Sequence, residues 1–136
     1  MYLEISNRRT GKTKRFINAI IGKMSKNPDC IFFVYCLNKF SLPNCLKNNK
    51  RVIVNPLTLR GLKTKKSFLF VDDLECNRFF EKIYQQEFVF SNYKNLMENS
   101  YITVSKENEK QIVKDFLKFN NGNFYEHKWW KIWNNL

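Results

Sequence analysis

Asn7-Arg8-Arg9-Thr10-Gly11-Lys12-Thr13 stands between a short apolar stretch, Tyr2-Leu3-Glu4-Ile5, and a longer helix-like one. Gly-Lys-Thr in that setting is the end of a phosphate-binding loop. Gly11 lets the backbone approach a phosphate closely. Lys12 reaches the β- and γ-phosphates, the Thr13 hydroxyl ligates Mg²⁺, and the free N–H groups of the helix start face the anion. The ligand class this implies is a nucleoside triphosphate, ATP or GTP. The full loop pattern carries an earlier glycine, at position 6, where this chain has Ser6. The alternative is a basic turn before an ordinary amphipathic helix. Phe16, Ile17, Ile20, Ile21 and Met24 repeat at helical spacing as far as a stop at Asn27-Pro28.

A second element able to do chemistry is Phe68-Leu69-Phe70-Val71-Asp72-Asp73. Four apolar residues ending in two carboxylates read as a buried strand that delivers acids to its C-terminal edge, where open α/β sheets bind ligands. Asp72 is placed to hold Mg²⁺ through its water shell. Asp73 stands where a base would orient or deprotonate an attacking water, with Glu75 a second candidate. The competing reading is an acidic helix start, with Asp73 and Glu75 favouring the helix dipole.

The elements that must position these groups alternate along the chain. Strands are expected at 2–5, 31–36, 51–54, 67–71 and 101–104, several of them continuously apolar as strands buried on both faces should be. Helices are expected at 12–26, 76–86 and 106–119, the last after a Ser105 cap and ending near Asn121-Gly122. Residues 38–50, broken by Pro43, are ambiguous. Such alternation predicts an α/β fold: a mainly parallel five-stranded sheet with helices on both faces. At the end of the last strand Thr103 reads as a β-former and Ser105 as a helix cap.

These residues together resemble a P-loop NTPase of the additional-strand class, which includes helicases, RecA-like ATPases and viral DNA-packaging motors. Arg8-Arg9-Thr10-Gly11-Lys12-Thr13 is similar to the variant loop of terminase-type packaging ATPases, which often lacks the first glycine. Leu59-Arg60-Gly61-Leu62 is similar to an Arg-Gly segment of the same enzymes. The resemblance covers residues 1–105. It implies a three-layer fold with strand order 5-1-4-3-2, a further strand lying between the loop strand and the acidic one. It also implies a Mg²⁺-dependent ATPase acting on nucleic acid in a viral or mobile-element setting. Ser6 to Thr13 would wrap the phosphates, Thr13 and Asp72 would hold Mg²⁺, Lys12 would stabilise the transferred phosphoryl, Asp73 would position water, and Arg60 or Arg78 would act as an arginine finger. The resemblance also implies that the strand at 101–104 ends beside the γ-phosphate, where Thr103 or Ser105 would sense it, though their plainer reading weighs more. The class usually has Asp-Glu where this chain has Asp72-Asp73, and with 136 residues no nuclease domain fits. A minimal ATPase domain is expected, or a degenerate module that binds nucleic acid or a protein without catalysis.

The formal net charge is +12, unevenly spread. No carboxylate lies between Asp29 and Asp72, and ten of the 12 acidic residues come from Asp72 onward. The basic interval, which includes Arg60 and is densest at Lys63, Lys65 and Lys66, expected beside the acidic strand near the nucleotide, suggests a nucleic-acid partner, or else a solvated face. Hydrophobic content of 43% with 13 Phe argues against disorder. Cys30, Cys36, Cys45 and Cys76 form no C-x-x-C pair, so reduced, mostly buried thiols are expected rather than a zinc or disulfide framework. Apolar runs are too short to cross a bilayer, and no signal-peptide pattern precedes Met1-Tyr2-Leu3-Glu4. An intracellular, soluble protein is the expectation, in a host cytoplasm or with a virion, oligomeric or part of a larger assembly. Residues 1–120 read as one domain and 121–136 as an aromatic tail. In that tail Trp129, Trp130, Trp133 and Leu136 share a helical face that would cover the sheet, dock a partner or stack on bases.

Overall fold

The computed structural model describes residues 1–7, 10–38, 41–59, 66–87, 89–105 and 110–127. Five strands form one sheet: β1 (Tyr2–Ser6), β2 (Ile31–Tyr35), β3 (Val52–Val54), β4 (Ser67–Val71) and β5 (Ser100–Ser105). Every pairing is parallel, in the order β1-β5-β4-β2-β3. The helices are α1 (Lys12–Lys26), α2 (Asn44–Lys47), α3 (Arg78–Gln86), α4 (Val89–Asn92), α5 (Lys94–Glu98) and α6 (Gln111–Phe119), with a 3₁₀ turn at Leu74–Cys76.

Alternation along the strands sorts side chains to two faces. Phe32, Val34, Phe68 and Phe70 pack with Phe16, Ile20 and Met24 of α1 and Leu46 of α2. Leu3, Phe33, Leu69, Val71, Ile102 and Val104 pack instead with Phe80, Ile83, Val89, Met97, Val113 and Phe116 of α3 to α6. The molecule is therefore three-layered, with helices on both faces of the sheet. Each fully buried Phe, Leu or Val contributes roughly 1.5–3 kcal/mol. That is why β4, buried at four consecutive positions, reads in the sequence as an unbroken apolar run.

The strand order departs from the expected 5-1-4-3-2. β5 is the strand that separates the loop strand β1 from the acidic strand β4, and the short β3 forms the far edge beyond β2. Outside β1 there is, among the described residues, a single-residue bridge: Tyr125 accepts from the Ile5 N–H at 2.8 Å and donates to the Leu3 carbonyl at 2.8 Å. Helix α1 has the expected bounds, but α3 starts at Arg78, because Asn77 caps it by accepting from the Phe80 N–H at 3.1 Å. Helix α6 begins at Gln111 after Lys110, not after a Ser105 cap. The ambiguous stretch after Asn38 contains the single-turn α2, and of the four cysteines two are buried and two exposed, all free. Trp129, Trp130, Trp133 and Leu136 lie outside the described residues. No described helix is long and apolar enough to cross a membrane.

Candidate functional site

The buried stripe of α1 runs Lys12, Phe16, Ile20, Met24, one residue every four. Three members bury apolar carbon. The fourth carries an ammonium, so the stripe that seats α1 on the sheet also delivers a cation to the C-terminal edge of the strands. Glu4 and Ser6 of β1, Asp72 after β4, and Thr103 and Ser105 of β5 alternate onto this same face, and the register pairs Glu4 with Thr103 and Ser6 with Ser105.

Gly11 precedes α1 in the left-handed region, φ 79° and ψ 20°, with no side-chain cap on the helix. A β-carbon there would lie 3.2 Å from Arg15 Nη1. Arg15 reaches back over the turn. It donates through Nη1 to the Thr10 carbonyl, and through Nε and Nη2 to both oxygens of Glu4 at 3.0 and 2.8 Å. Glu4 is fully buried, so this two-pronged ion pair ties the loop to the middle of β1. The Thr10 hydroxyl donates to the Asn7 carbonyl at 2.8 Å. Arg8 and Arg9 lie outside the described residues.

Lys12 Nζ donates to Asp73 Oδ1 at 2.7 Å and to Ser105 Oγ at 3.2 Å. Asp73 adopts φ 52° and ψ 58°, an uncommon conformation for a residue with a β-carbon. Its N–H donates to Thr103 Oγ1 at 2.9 Å, while that hydroxyl donates to Asp72 Oδ1 at 2.6 Å. Thr103 thus ties the Asp72 carboxylate to the Asp73 backbone. Burial, reinforced by the charge of Asp73, pushes the Asp72 carboxyl up to about 6. Glu75 is buried in the 3₁₀ turn, where Oε1 accepts from the Ser105 N–H at 3.0 Å. Its Oε2 has no hydrogen-bond partner among the described residues. Thr13 is exposed in the first turn of α1.

The structure therefore gathers Lys12, Asp72, Asp73 and Glu75, separated in sequence, at one sheet edge. Ser6 shares their face of the sheet. It is the buried last residue of β1, and its Oγ accepts from the His127 N–H at 2.9 Å. Arg60, Lys63 and Lys65 lie outside the described residues, and Arg78 is exposed at the start of α3. Lys66 is described, and its place corrects an expectation. It precedes the first residue of β4, its carbonyl accepting from the Ile31 N–H at 3.1 Å, so it lies at the N-terminal edge of the sheet, away from Asp72 and Asp73.

Two members of the site were read more plainly from sequence. Thr103 was weighed as a strand former and Ser105 as a cap, yet both bond to the charged groups. The available signal was the i, i+2 pair of hydroxyls at the end of an otherwise apolar strand. Glu4 and Arg15 were missed altogether, though a lone carboxylate inside an apolar strand calls for a cation.

Among the described residues no cluster of three or more His, Cys, Asp or Glu side chains is placed to hold a metal by itself. Comparison with protein-family models, with curated proteins and with solved structures gives no match.

Proposed function

We propose that this protein binds a nucleoside triphosphate with Mg²⁺ at the start of α1 and hydrolyses it, as a P-loop ATPase acting on nucleic acid. The observation that carries the reading is the ammonium of Lys12, buried at a helix N-terminus with Asp72 and Asp73 beside it. Backbone N–H groups and a lysine favour phosphate oxygens there. The charge of Asp72 is poorly compensated by its surroundings, which suits a cation shared with phosphate oxygens and water, since Mg²⁺ commonly takes only one or two protein ligands. Asp72 and Thr13 would hold that Mg²⁺, which would draw charge from the phosphates. Lys12 would leave Asp73 for the γ-phosphate, releasing a carboxylate to orient water, with Glu75 behind it.

A second reading has one specific observation in its favour. Lys12 and Asp73 already neutralise each other at 2.7 Å. A module that keeps this pair closed would bind nucleic acid or a protein partner without turnover. Calorimetric titration with Mg·ATP and Mg·GTP separates the two. The nucleotide reading expects micromolar binding that Lys12→Ala abolishes; equal affinity of both proteins would overturn it.

A further inference from the structure

At the opposite end of the strands from Lys12, a cleft of about 430 Å³ lies between α1 and the sheet. Its floor is aromatic, with Phe68 and Phe70 of β4 and Tyr101 of β5. These rings continue a row across the sheet: Phe70 to Tyr101 at 5.8 Å and Tyr101 to Tyr2 at 4.3 Å, both stacked. The helical wall is Gly22, Lys23 and Lys26. The space beside Gly22 is open, since a β-carbon there would meet nothing within 4 Å. The ammonium groups of Lys23 and Lys66 each lie 5.5 Å from the centre of the Phe68 ring. One carboxylate, Glu98, lines the cleft, and it also faces Lys94 at 3.9 Å.

We propose that this cleft binds single-stranded nucleic acid, a base entering against Phe68, Phe70 and Tyr101 while flanking phosphates meet Lys23, Lys26 and Lys66. Flat apolar rings beside cations match a base joined to phosphate. An apolar peptide would leave three ammonium groups unmatched, and a free phosphate would make no use of the rings. A duplex keeps its bases stacked inside and offers the cleft only backbone. No group that reads a base edge is needed, so binding is indifferent to sequence. The cleft lies at the strand starts and the Lys12 cluster at the strand ends. The inference rests on the nucleic-acid half of the proposed function and is independent of the nucleotide half.

The test uses the full chain with a fluorescent oligothymidylate and the corresponding duplex, titrated from low to moderate salt. The single strand is expected to bind more tightly than the duplex. Gly22→Leu fills the cleft without removing charge and places a better helix former in α1; it is expected to weaken binding at least tenfold. The double variant Lys23→Ala/Lys26→Ala supplies an independent arm. Each phosphate contact on a single strand contributes about 0.7 to the slope of log affinity against log salt, so its slope should fall by about 1.4. Wild-type affinity in Gly22→Leu, an unchanged slope in the double variant, a preference for duplex, or displacement by polyglutamate as readily as by oligonucleotide would each overturn the cleft. In the first two cases nucleic-acid binding would stand elsewhere on the basic interval. No oligonucleotide binding by the wild type at low salt would overturn cleft and interval together, and the Mg·ATP titration judges the nucleotide site separately.

Discussion

Asp72 carries a poorly accommodated charge. Its carboxyl is buried beside a second carboxylate, and the hydroxyl of Thr103 is its bonded donor at 2.6 Å. The folded state therefore holds its proton up to about 6, against 3.8 for an unperturbed group. Between those values the folded chain binds more protons than the unfolded one. In chelator-treated protein this contribution to stability is full below about pH 4 and is lost as pH rises through 6. A shift of this size corresponds to something on the order of 2–3 kcal/mol. Asp72→Asn should raise Tm at pH 8 and flatten its decline from pH 4 to 7. Thermal melts across that range check this, and an unchanged pH profile would contradict it. Thr103→Val makes the complementary case. It keeps the shape but strips Asp72 of its donor and the Asp73 N–H of its acceptor, two partly or fully buried groups. The expected cost is about 1–3 kcal/mol at pH 8, read by urea denaturation, and smaller at pH 4.5, where protonated Asp72 no longer needs the donor.

At the scale of elements, the junction of β1, loop and α1 depends on Glu4 and Arg15. The pair is lopsided: Glu4 is fully buried, whereas the Arg15 side chain is 26% exposed. Removing the arginine leaves a carboxylate with no route to water. Removing the carboxylate leaves a guanidinium that turns outward. Arg15→Met should therefore cost roughly 3–5 kcal/mol, and Glu4→Gln clearly less. Equal losses in chemical denaturation would mean that the pair is screened like a surface bridge. The elements themselves were largely legible in sequence. Helix α1 and strand β4 have the expected bounds, because a stripe with period near four and an unbroken apolar run allow few alternatives. The stretch from Val89 to Glu98 was not read as helix, since α4 and α5 span four and five residues, too short to show a period. Strand order was half legible. An intervening strand between β1 and β4 was expected, but nothing in the composition of Val52–Val54 marks it as the edge. The cap assigned to Ser105 is not made: Ser105 ends β5, where its hydroxyl accepts from Lys12, and α6 begins only at Gln111.

For the whole molecule, the uneven charge becomes a spatial separation. Asp72, Asp73 and Glu75 gather at the C-terminal edge of the sheet, while Lys66, Lys23 and Lys26 belong to the other end. A strand advances about 3.3 Å per residue, so a five-residue strand holds the two ends roughly 16 Å apart. That is beyond the ~8–10 Å screening length at physiological salt. Direct interaction through solvent between a polymer held at the basic end and a nucleotide held at the acidic end would thus be largely screened, and coupling would pass through α1, β4 and β5, which all span both ends. The triple variant Lys63→Ala/Lys65→Ala/Lys66→Ala tests the separation, although only Lys66 lies within the described residues. It should weaken oligonucleotide binding and lower the salt slope by about 0.7 for each lysine that contacts a phosphate. It should leave Mg·ATP affinity within about twofold of wild type. Lys12→Ala should do the reverse, abolishing nucleotide binding while the oligonucleotide isotherm and its slope stay put. Fluorescence anisotropy and calorimetry on the same two variants provide the four measurements. A loss of ATP affinity in the triple variant would bring the basic segment back to the nucleotide edge, and the two ends would have to be treated as one site.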